Sequence, residues 1–150
     1  MPTRKQILDV ARTYLNTPFA HQGRTRVFGL DCVGLPLMIA QELNIVDTKG
    51  RPMNGGLYST YTGQPIDTLV LDCCIEHLVR KVVTQLKPGD IVCMRVDNVP
   101  CHVGIYDEVN GQPWIIHAYN GGSCKVVEHG IDRKWWRRIT AAFEFPGLED

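Results

Sequence analysis

The segment Gly29-Leu30-Asp31-Cys32-Val33-Gly34-Leu35 decides the fold, because a loop ends there and an apolar helix begins. Residues 32–43 are apolar almost all round, and a helix without a polar face is buried in the middle of its domain. Pro36 falls within its first turn, where proline is tolerated best. The segment therefore predicts a central, buried helix that begins at Cys32.

Two later segments each carry one histidine and have the residue pattern of β-strands: residues 101–106 with His102, and residues 115–119 with His117. Asn110-Gly111 lies between them, and Asn-Gly between apolar runs is a strong hairpin signal. Side chains on paired antiparallel strands can face the same side. We therefore expect the two imidazoles to lie close together.

The rest of the chain has helical patterns first and strand patterns later. The predicted helices are residues 5–15, with Thr3 as a cap, and residues 66–83; the predicted strands are 91–95, after the turn 87–90, then 102–109, 113–119, 124–129 and 139–145; residues 19–30 and 46–64 are predicted loops. This order predicts an α+β fold in which N-terminal helices pack on an antiparallel sheet. We expect one domain over residues 1–150.

Composition excludes several functional classes. The formal net charge of the 150 residues is zero, which argues against general binding to nucleic acid or anionic membranes. No apolar run reaches the roughly 18 residues that a membrane helix needs. The N-terminus lacks the apolar region of an export signal, so we expect synthesis in the cytoplasm. Most of the six cysteines are expected to be reduced, and several are expected to be small core residues.

Cys32 at a helix start has the surroundings of a nucleophile. A helix N-terminus lowers the pKa of a thiol, and its backbone N–H groups can hold a developing oxyanion. One of His102 and His117 would contact the thiol and the other would orient the first. The alternative is that Cys32 is a small packing residue. The chain order Cys…His…His favours a papain-like hydrolase.

Other polar residues have simpler interpretations. Cys73, Cys74 and His77 could ligate a metal, but no second ligand pair supports a zinc site, so we expect core cysteines, a surface histidine and no cofactor. Cys93 and Cys124 are expected in the core. His129 lies near a strand end and is expected to be exposed.

At these residues the chain resembles the NlpC-type peptidoglycan endopeptidases, small papain-like cysteine hydrolases of bacterial cell walls. The shared motifs are Asp31-Cys32-Val33-Gly34-Leu35 at the nucleophile, Pro88-Gly89-Asp90 before a central strand, His102 to Tyr106 at the base, and His117-Ala118 on the next strand. The resemblance runs from Thr17 to the final strand and implies the papain-like fold.

The resemblance implies cleavage of an amide in peptidoglycan stem peptides, commonly between D-glutamate and diaminopimelate. It makes Cys32 the nucleophile, His102 the base and His117 its orienter. It gives Asp31 a part in holding substrate, with a helix cap as the alternative role. No metal or other cofactor is implied.

The C-terminal region, with Trp135 to Arg138 and Ala142 to Gly147, is similar to the family branch of phages, prophages and gene-transfer agents. This implies phage tail proteins as further partners and delivery to the wall by a virion or after lysis. Two alternatives stay open. One is a Cys-His amidase or acyltransferase on the same fold, and the other is a tail or assembly protein without turnover.

The sequence departs from the family pattern near the nucleophile. Val33 stands where the family has serine, and Phe19 stands where it has a tyrosine that contacts substrate or oxyanion. We expect Phe19 to keep the substrate-binding position and His21, Tyr58 or Tyr61 to supply the missing polar group. Residues 24–26 form an atypical insertion.

Overall fold

The computed structural model describes residues 1–21, 23–53, 69–96, 99–122 and 124–150. In chain order the elements are α1 (Arg4–Thr13), β1 (Arg24–Thr25), β2 (Gly29–Leu30), α2 (Gly34–Glu42), α3 (Leu69–His77), β3 (Val79–Lys81), β4 (Ile91–Val96), β5 (Val99–Val109), β6 (Gln112–Tyr119), β7 (Lys125–Gly130), α4 (Arg133–Trp136) and β8 (Ile139–Glu144). Over this part of the chain, no helix has the length and apolar character needed to cross a membrane.

The main sheet has six antiparallel strands in the order β3-β8-β4-β5-β6-β7, and β1 and β2 form a separate two-stranded hairpin. The predicted α+β class is confirmed. The hairpin β1–β2 lies within the predicted loop 19–30. Most of the second predicted loop, 46–64, lies outside the described residues.

Local sequence signals account for the first helix and the central hairpin. The Thr3 side chain accepts from the Gln6 N–H, and the Gln6 side chain accepts from the Thr3 N–H, so a capping box starts α1 as expected. Asn110 and Gly111 join β5 to β6 with positive φ angles of 53° and 75°. That conformation is the one that Asn-Gly favours in a tight hairpin turn.

The helix predicted over residues 66–83 is too long. The helix α3 ends at His77, and Val79–Lys81 forms the edge strand β3, whose Arg80 pairs with Phe143 of β8. A helical pattern in the sequence cannot report the backbone partners that β8 offers to this segment. The prediction was therefore wrong after His77.

The two faces of the sheet are covered differently. The larger core lies between the sheet and α1 and α2, and it includes Ile7, Leu35, Ile39, Ile105 and Ile116. The opposite face carries a smaller cluster around Tyr106 and Ile115, against which Trp135 of the short helix α4 packs. The sequence analysis did not predict α4.

The cysteines divide between core and surface. Cys74 and Cys93 are buried, as expected. Cys124 is exposed, contrary to the prediction, because it precedes β7 in a left-handed conformation with φ of 53°. Its sulfur lies 3.3 Å from the Asn120 carbonyl. The side chain of Cys101 lies outside the described residues.

Candidate functional site

A buried pair of histidines lies on adjacent central strands. His102 is on β5 and His117 is on β6, and Nε2 of His102 lies 2.7 Å from Nδ1 of His117. The His117 side chain is fully buried, and His102 is 8 % exposed. The structure thus brings together the two imidazoles that the sequence suggested would meet.

A glycine makes room for this pair. The register that pairs Ile105 with Ile116 puts Gly104 opposite His117. A Cβ atom on Gly104 would lie 3.0 Å from the His117 Cβ and 2.6 Å from Cδ1 of Ile115. Because Gly104 has no side chain, the His102 ring can reach the His117 ring diagonally across the two strands.

Burial keeps both rings neutral. Burial, followed by the positive charge of Arg138, lowers the pKa of His102 to about 4. Burial, followed by the neighbouring His102 and His129, holds the pKa of His117 far below its usual range. A neutral imidazole can accept a proton, so His102 is available as a general base at neutral pH.

Cys32 lies in the turn that leads into α2. The helix itself begins at Gly34, two residues later than predicted. The Asp31 carboxylate accepts from the Gly34 N–H at 2.8 Å, and the Asp31 carbonyl accepts from the Leu35 N–H at 3.4 Å. Asp31 therefore caps the turn that leads into α2, and the half-buried Cys32 lies within that turn.

Backbone pairing puts this turn at the same end of the sheet as His102. Tyr119 of β6 pairs with Lys125 of β7, and Lys125 also forms an isolated β-bridge with Pro18. Phe19, which follows Pro18, forms a β-bridge with Leu30, just before the turn that contains Cys32. Beyond the pair Ile105–Ile116 of β5 and β6, the rings of His102 and Tyr119 lie beside each other, with centroids 6.0 Å apart. The helix α2 also packs against β5 and β6. The nucleophile turn and the histidine pair thus lie toward the same end of the sheet, and direct contact between Cys32 and His102 stays a prediction.

Small residues and one ion pair hold the turn in place. A Cβ on Gly34 would lie 2.5 Å from the Gly23 carbonyl oxygen, so only glycine fits there. Asp31 is 2 % exposed, and Arg24 donates to its carboxylate at 2.9 Å. Arg24, which belongs to the atypical insertion 24–26, therefore helps to hold the nucleophile turn through this ion pair. The cap is the role that the contacts of Asp31 support, and its part in holding substrate stays a prediction.

The remaining predicted substrate residues lie on the strand-like segment before β1. Phe19 is half-buried against the main core, and its N–H donates to the Cys124 carbonyl at 2.8 Å. His21 is exposed. Tyr58 and Tyr61, the alternative sources of a hydroxyl, lie outside the described residues. The substrate-binding roles of Phe19 and His21 stay predictions.

The possible metal ligands on α3 are otherwise engaged. His77 is buried rather than on the surface, and its Nδ1 lies 2.8 Å from the Asp47 carboxylate, which also accepts from Arg51. Cys73 is half-buried and Cys74 is buried. Within the described ranges, no group of three or more His, Cys, Asp or Glu residues is arranged to hold a metal ion.

The structure adds a residue that the sequence analysis assigned to the surface. His129 on β7 is half-buried, and its Nε2 lies 2.9 Å from Nε2 of His117. Trp135 of α4 packs against both rings, with centroid distances of 5.2 Å. Alternation along β7 could have put Val127 and His129 on one face. The register with β6, which brings that face to His117, is not readable from the sequence.

A sequence model of the NlpC/P60 family matches residues 16–142 of this chain. The match includes Cys32, His102, His117 and His129. No curated protein sequence matches the chain.

Several solved structures have a similar fold. The NlpC/p60 domain of the peptidoglycan hydrolase SagA is 22% identical, with a TM-score of 0.62 over 95% of this chain and 99% of that one. An NlpC/P60 family protein from Bacillus cereus is 16% identical, with a TM-score of 0.65 over 96% of this chain but 40% of its own length. An N-acetylmuramoyl-L-alanine amidase from Bacteroides uniformis is 14% identical, with a TM-score of 0.53 over 93% and 96%.

Proposed function

Because the chain belongs to the NlpC/P60 family, we propose that it is a cysteine peptidase that hydrolyses an amide bond in the peptide stems of peptidoglycan. The observation that carries this proposal is the buried contact of 2.7 Å between His102 and His117. A neutral, oriented imidazole is what a thiol nucleophile needs as its base. The order Cys32, His102, His117 along the chain agrees with papain-like chemistry.

Each residue has a defined part in the proposed reaction. His102 takes the proton of the Cys32 thiol, and the sulfur attacks the carbonyl carbon of the scissile amide. The backbone N–H at the entrance of α2 donates to the oxyanion. His102 then gives the proton to the leaving amine, and a thioester forms. Water, deprotonated by His102, hydrolyses the thioester and restores the thiol.

Which nitrogen of His102 serves as the base follows from its contacts. Its Nε2 is engaged with His117, so Nδ1 is the nitrogen left to accept the thiol proton. His117 would hold the ring in place, as the third member of a catalytic triad does. The low pKa of His102, about 4, keeps this ring neutral and able to accept a proton in the resting enzyme.

The finer parts of the proposal concern substrate and setting. The bond between D-glutamate and diaminopimelate is the proposed site of cleavage, and a virion or phage tail is the proposed carrier to the wall. Both rest on the motifs at Cys32 and His102 and on the C-terminal segment from Trp135 to Gly147.

Digestion of purified muropeptides tests the proposal. We expect wild type to release a product with a free diaminopimelate amine, and Cys32→Ala to release none. Cys124→Ala is the matched control, because the Cys124 thiol is exposed and takes no part in the proposed reaction; this variant should digest at the wild-type rate. Digestion by folded Cys32→Ala at the wild-type rate would refute the proposal.

A muramoyl-alanine amidase is the second candidate, favoured by the fold likeness to the Bacteroides uniformis enzyme. Mass spectrometry of the same digest separates the two functions. An amidase releases whole stem peptides with a free L-alanine amine, whereas the proposed peptidase leaves the first residues of the stem attached to the sugar.

A further inference from the structure

The histidine contacts continue past the proposed base and its orienter. Nε2 of His117 lies 2.9 Å from Nε2 of His129, and Nδ1 of His129 lies 2.9 Å from the Gly130 carbonyl oxygen. Three neighbouring strands, β5, β6 and β7, each contribute one ring. The result is a chain of hydrogen bonds from His102 to a backbone carbonyl.

The carbonyl at the end of this chain sets its direction. A carbonyl oxygen can only accept, so Nδ1 of His129 carries the proton in that contact. In a neutral ring the other nitrogen is then an acceptor, and Nε2 of His129 accepts from Nε2–H of His117. The Nδ1 of His117 is left as an acceptor, and it receives Nε2–H of His102.

We propose that His129 is a positioning residue that, anchored on the Gly130 carbonyl, fixes the tautomers of His117 and His102 and leaves Nδ1 of His102 unprotonated. This inference rests on the proposed function, in which that nitrogen takes the thiol proton. The opposite tautomer would carry a proton at Nδ1 and could not act as the base. A wrong tautomer is a costly defect in a triad even when the geometry is intact.

Burial favours a single proton on each of His102 and His117. The direction of the chain holds only if each ring has one proton, and burial lowers the pKa of both His102 and His117. A positive charge near the rings is that of Arg138, whose guanidinium lies 4.6 Å from the Trp135 ring centroid. Its positive charge opposes protonation of His102.

Aromatic packing keeps the rings from rotating out of line. Tyr119 stacks on His117 with an interplanar angle of 19° and a centroid distance of 5.2 Å. The Trp135 ring stands nearly perpendicular to His117, at 87°, and also contacts His129. Because His117 is packed on two sides, its ring cannot flip easily to exchange its donor and acceptor nitrogens. The proton on Nδ1 of His129, fixed by the Gly130 carbonyl, therefore determines which nitrogen of His102 is protonated.

Nitrogen-15 NMR of histidine-labelled protein tests the inference directly, because protonated and unprotonated imidazole nitrogens have well-separated shifts. We expect wild-type His102 to be protonated at Nε2 alone. His129→Leu removes the acceptor for His117 and should give a mixture of His102 tautomers. In His129→Gln the amide can accept from His117 and donate to the Gly130 carbonyl, so the wild-type tautomer should return.

Activity on muropeptides gives the second measurement. We expect kcat/KM of His129→Leu to fall about tenfold, as for other outer hydrogen-bond partners, and His129→Gln to recover most of it. A wild-type His102 protonated at Nδ1, or an unchanged His102 tautomer in folded His129→Leu, would overturn the inference. If the tautomers behave as expected but wild type cleaves no wall peptide, the histidine chain is supported and the proposed function is what fails.

Discussion

Gly104 and His117 lie so close across β5 and β6 that a Cβ atom on Gly104 would come within 3.0 Å of the His117 Cβ. Side chains directly opposite on antiparallel strands normally share this space. Here Gly104 has no side chain, and the free space opposite His117 allows the diagonal contact between His102 and His117. The glycine of the His102 motif is therefore part of the geometry of the candidate site.

Gly104→Ala should lower activity more than stability. The new methyl group pushes against His117 and the buried Ile115, and a misplaced orienter weakens the base. We expect kcat on muropeptides to fall at least about tenfold, with a loss of roughly 1–3 kcal/mol in the free energy of unfolding. Gly111→Ala is the control, because a Cβ there meets no atom within 4 Å but strains the turn, at a φ of 75°, at the end of the hairpin away from His102. Equal effects of the two substitutions on kcat would contradict the argument.

Acid should destabilise the protein through its buried histidines. The pKa of His102 is about 4 in the folded state and near 6.5 in the unfolded chain, so between these values the unfolded chain binds the extra proton. The free energy of unfolding should therefore fall as pH falls from about 6.5 to about 4, by about 1.4 kcal/mol per pH unit for this group. Above pH 6.5 the contribution is complete and constant.

Urea unfolding at a series of pH values measures this slope. His102→Gln removes the titrating ring, so its slope between pH 6.5 and 4 should be smaller than that of wild type by about one proton. His117 remains in both proteins, and because burial is the largest cause of its lowered pKa, its own contribution to the slope should change little. Identical slopes would show that His102 is not buried in its neutral form.

Asp31 should matter to stability through two separable contacts. Asp31→Ala removes both the cap on the Gly34 N–H and the partner of Arg24. We expect it to lower the free energy of unfolding by about 3 kcal/mol, because a cap contributes about 1 kcal/mol and the half-buried Arg24 loses this ion pair. Asp31→Asn keeps an oxygen for the cap and should cost less.

The same pair of variants tests the predicted substrate role of Asp31. If Asp31 only holds the turn, Asp31→Asn should keep KM for muropeptides near the wild-type value. A large rise in KM for a variant that is as stable as wild type would instead indicate that the carboxylate contacts substrate.

Asp90 should be structural although it lies in a family motif. Its fully buried carboxylate accepts from Arg4 and Lys81 at 2.6 Å each and from the Lys87 N–H at 2.8 Å. Asp90→Ala removes the buried carboxylate that Arg4 and Lys81 share and leaves them with the more exposed Glu144 and, for Arg4, Asp150. We therefore expect a loss of about 3 kcal/mol in the free energy of unfolding. Activity per folded molecule should not change, as a titration of active thiols against turnover would show.

Much of the site follows from short-range sequence signals. The Thr3 cap, the apolar helix after Cys32 and the Asn110-Gly111 turn depend on residues a few positions apart, and each agrees with the structure. Strand alternation around that turn was enough to bring His102 and His117 to one side. These features were predictable because interactions between residues close in the sequence determine their stability.

Strand order and register could not be predicted in this way. Val79–Lys81 continues a helical pattern but pairs with β8, and β8 itself lies between β3 and β4 rather than beside β7. His129 meets His117 only because β7 pairs with β6 in one particular register. Such pairings depend on backbone partners that are distant in the chain.

The sequence by itself determined which residues form the turn at Cys32, which strands carry His102 and His117, and that the two rings share a face. Only the tertiary structure decided that His129 and the Gly130 carbonyl complete the line of hydrogen bonds, and that Asp31 is buried against Arg24. The physical reason is that caps, turns and alternation are properties of adjacent residues. The register between distant strands is chosen by the packing of the whole sheet.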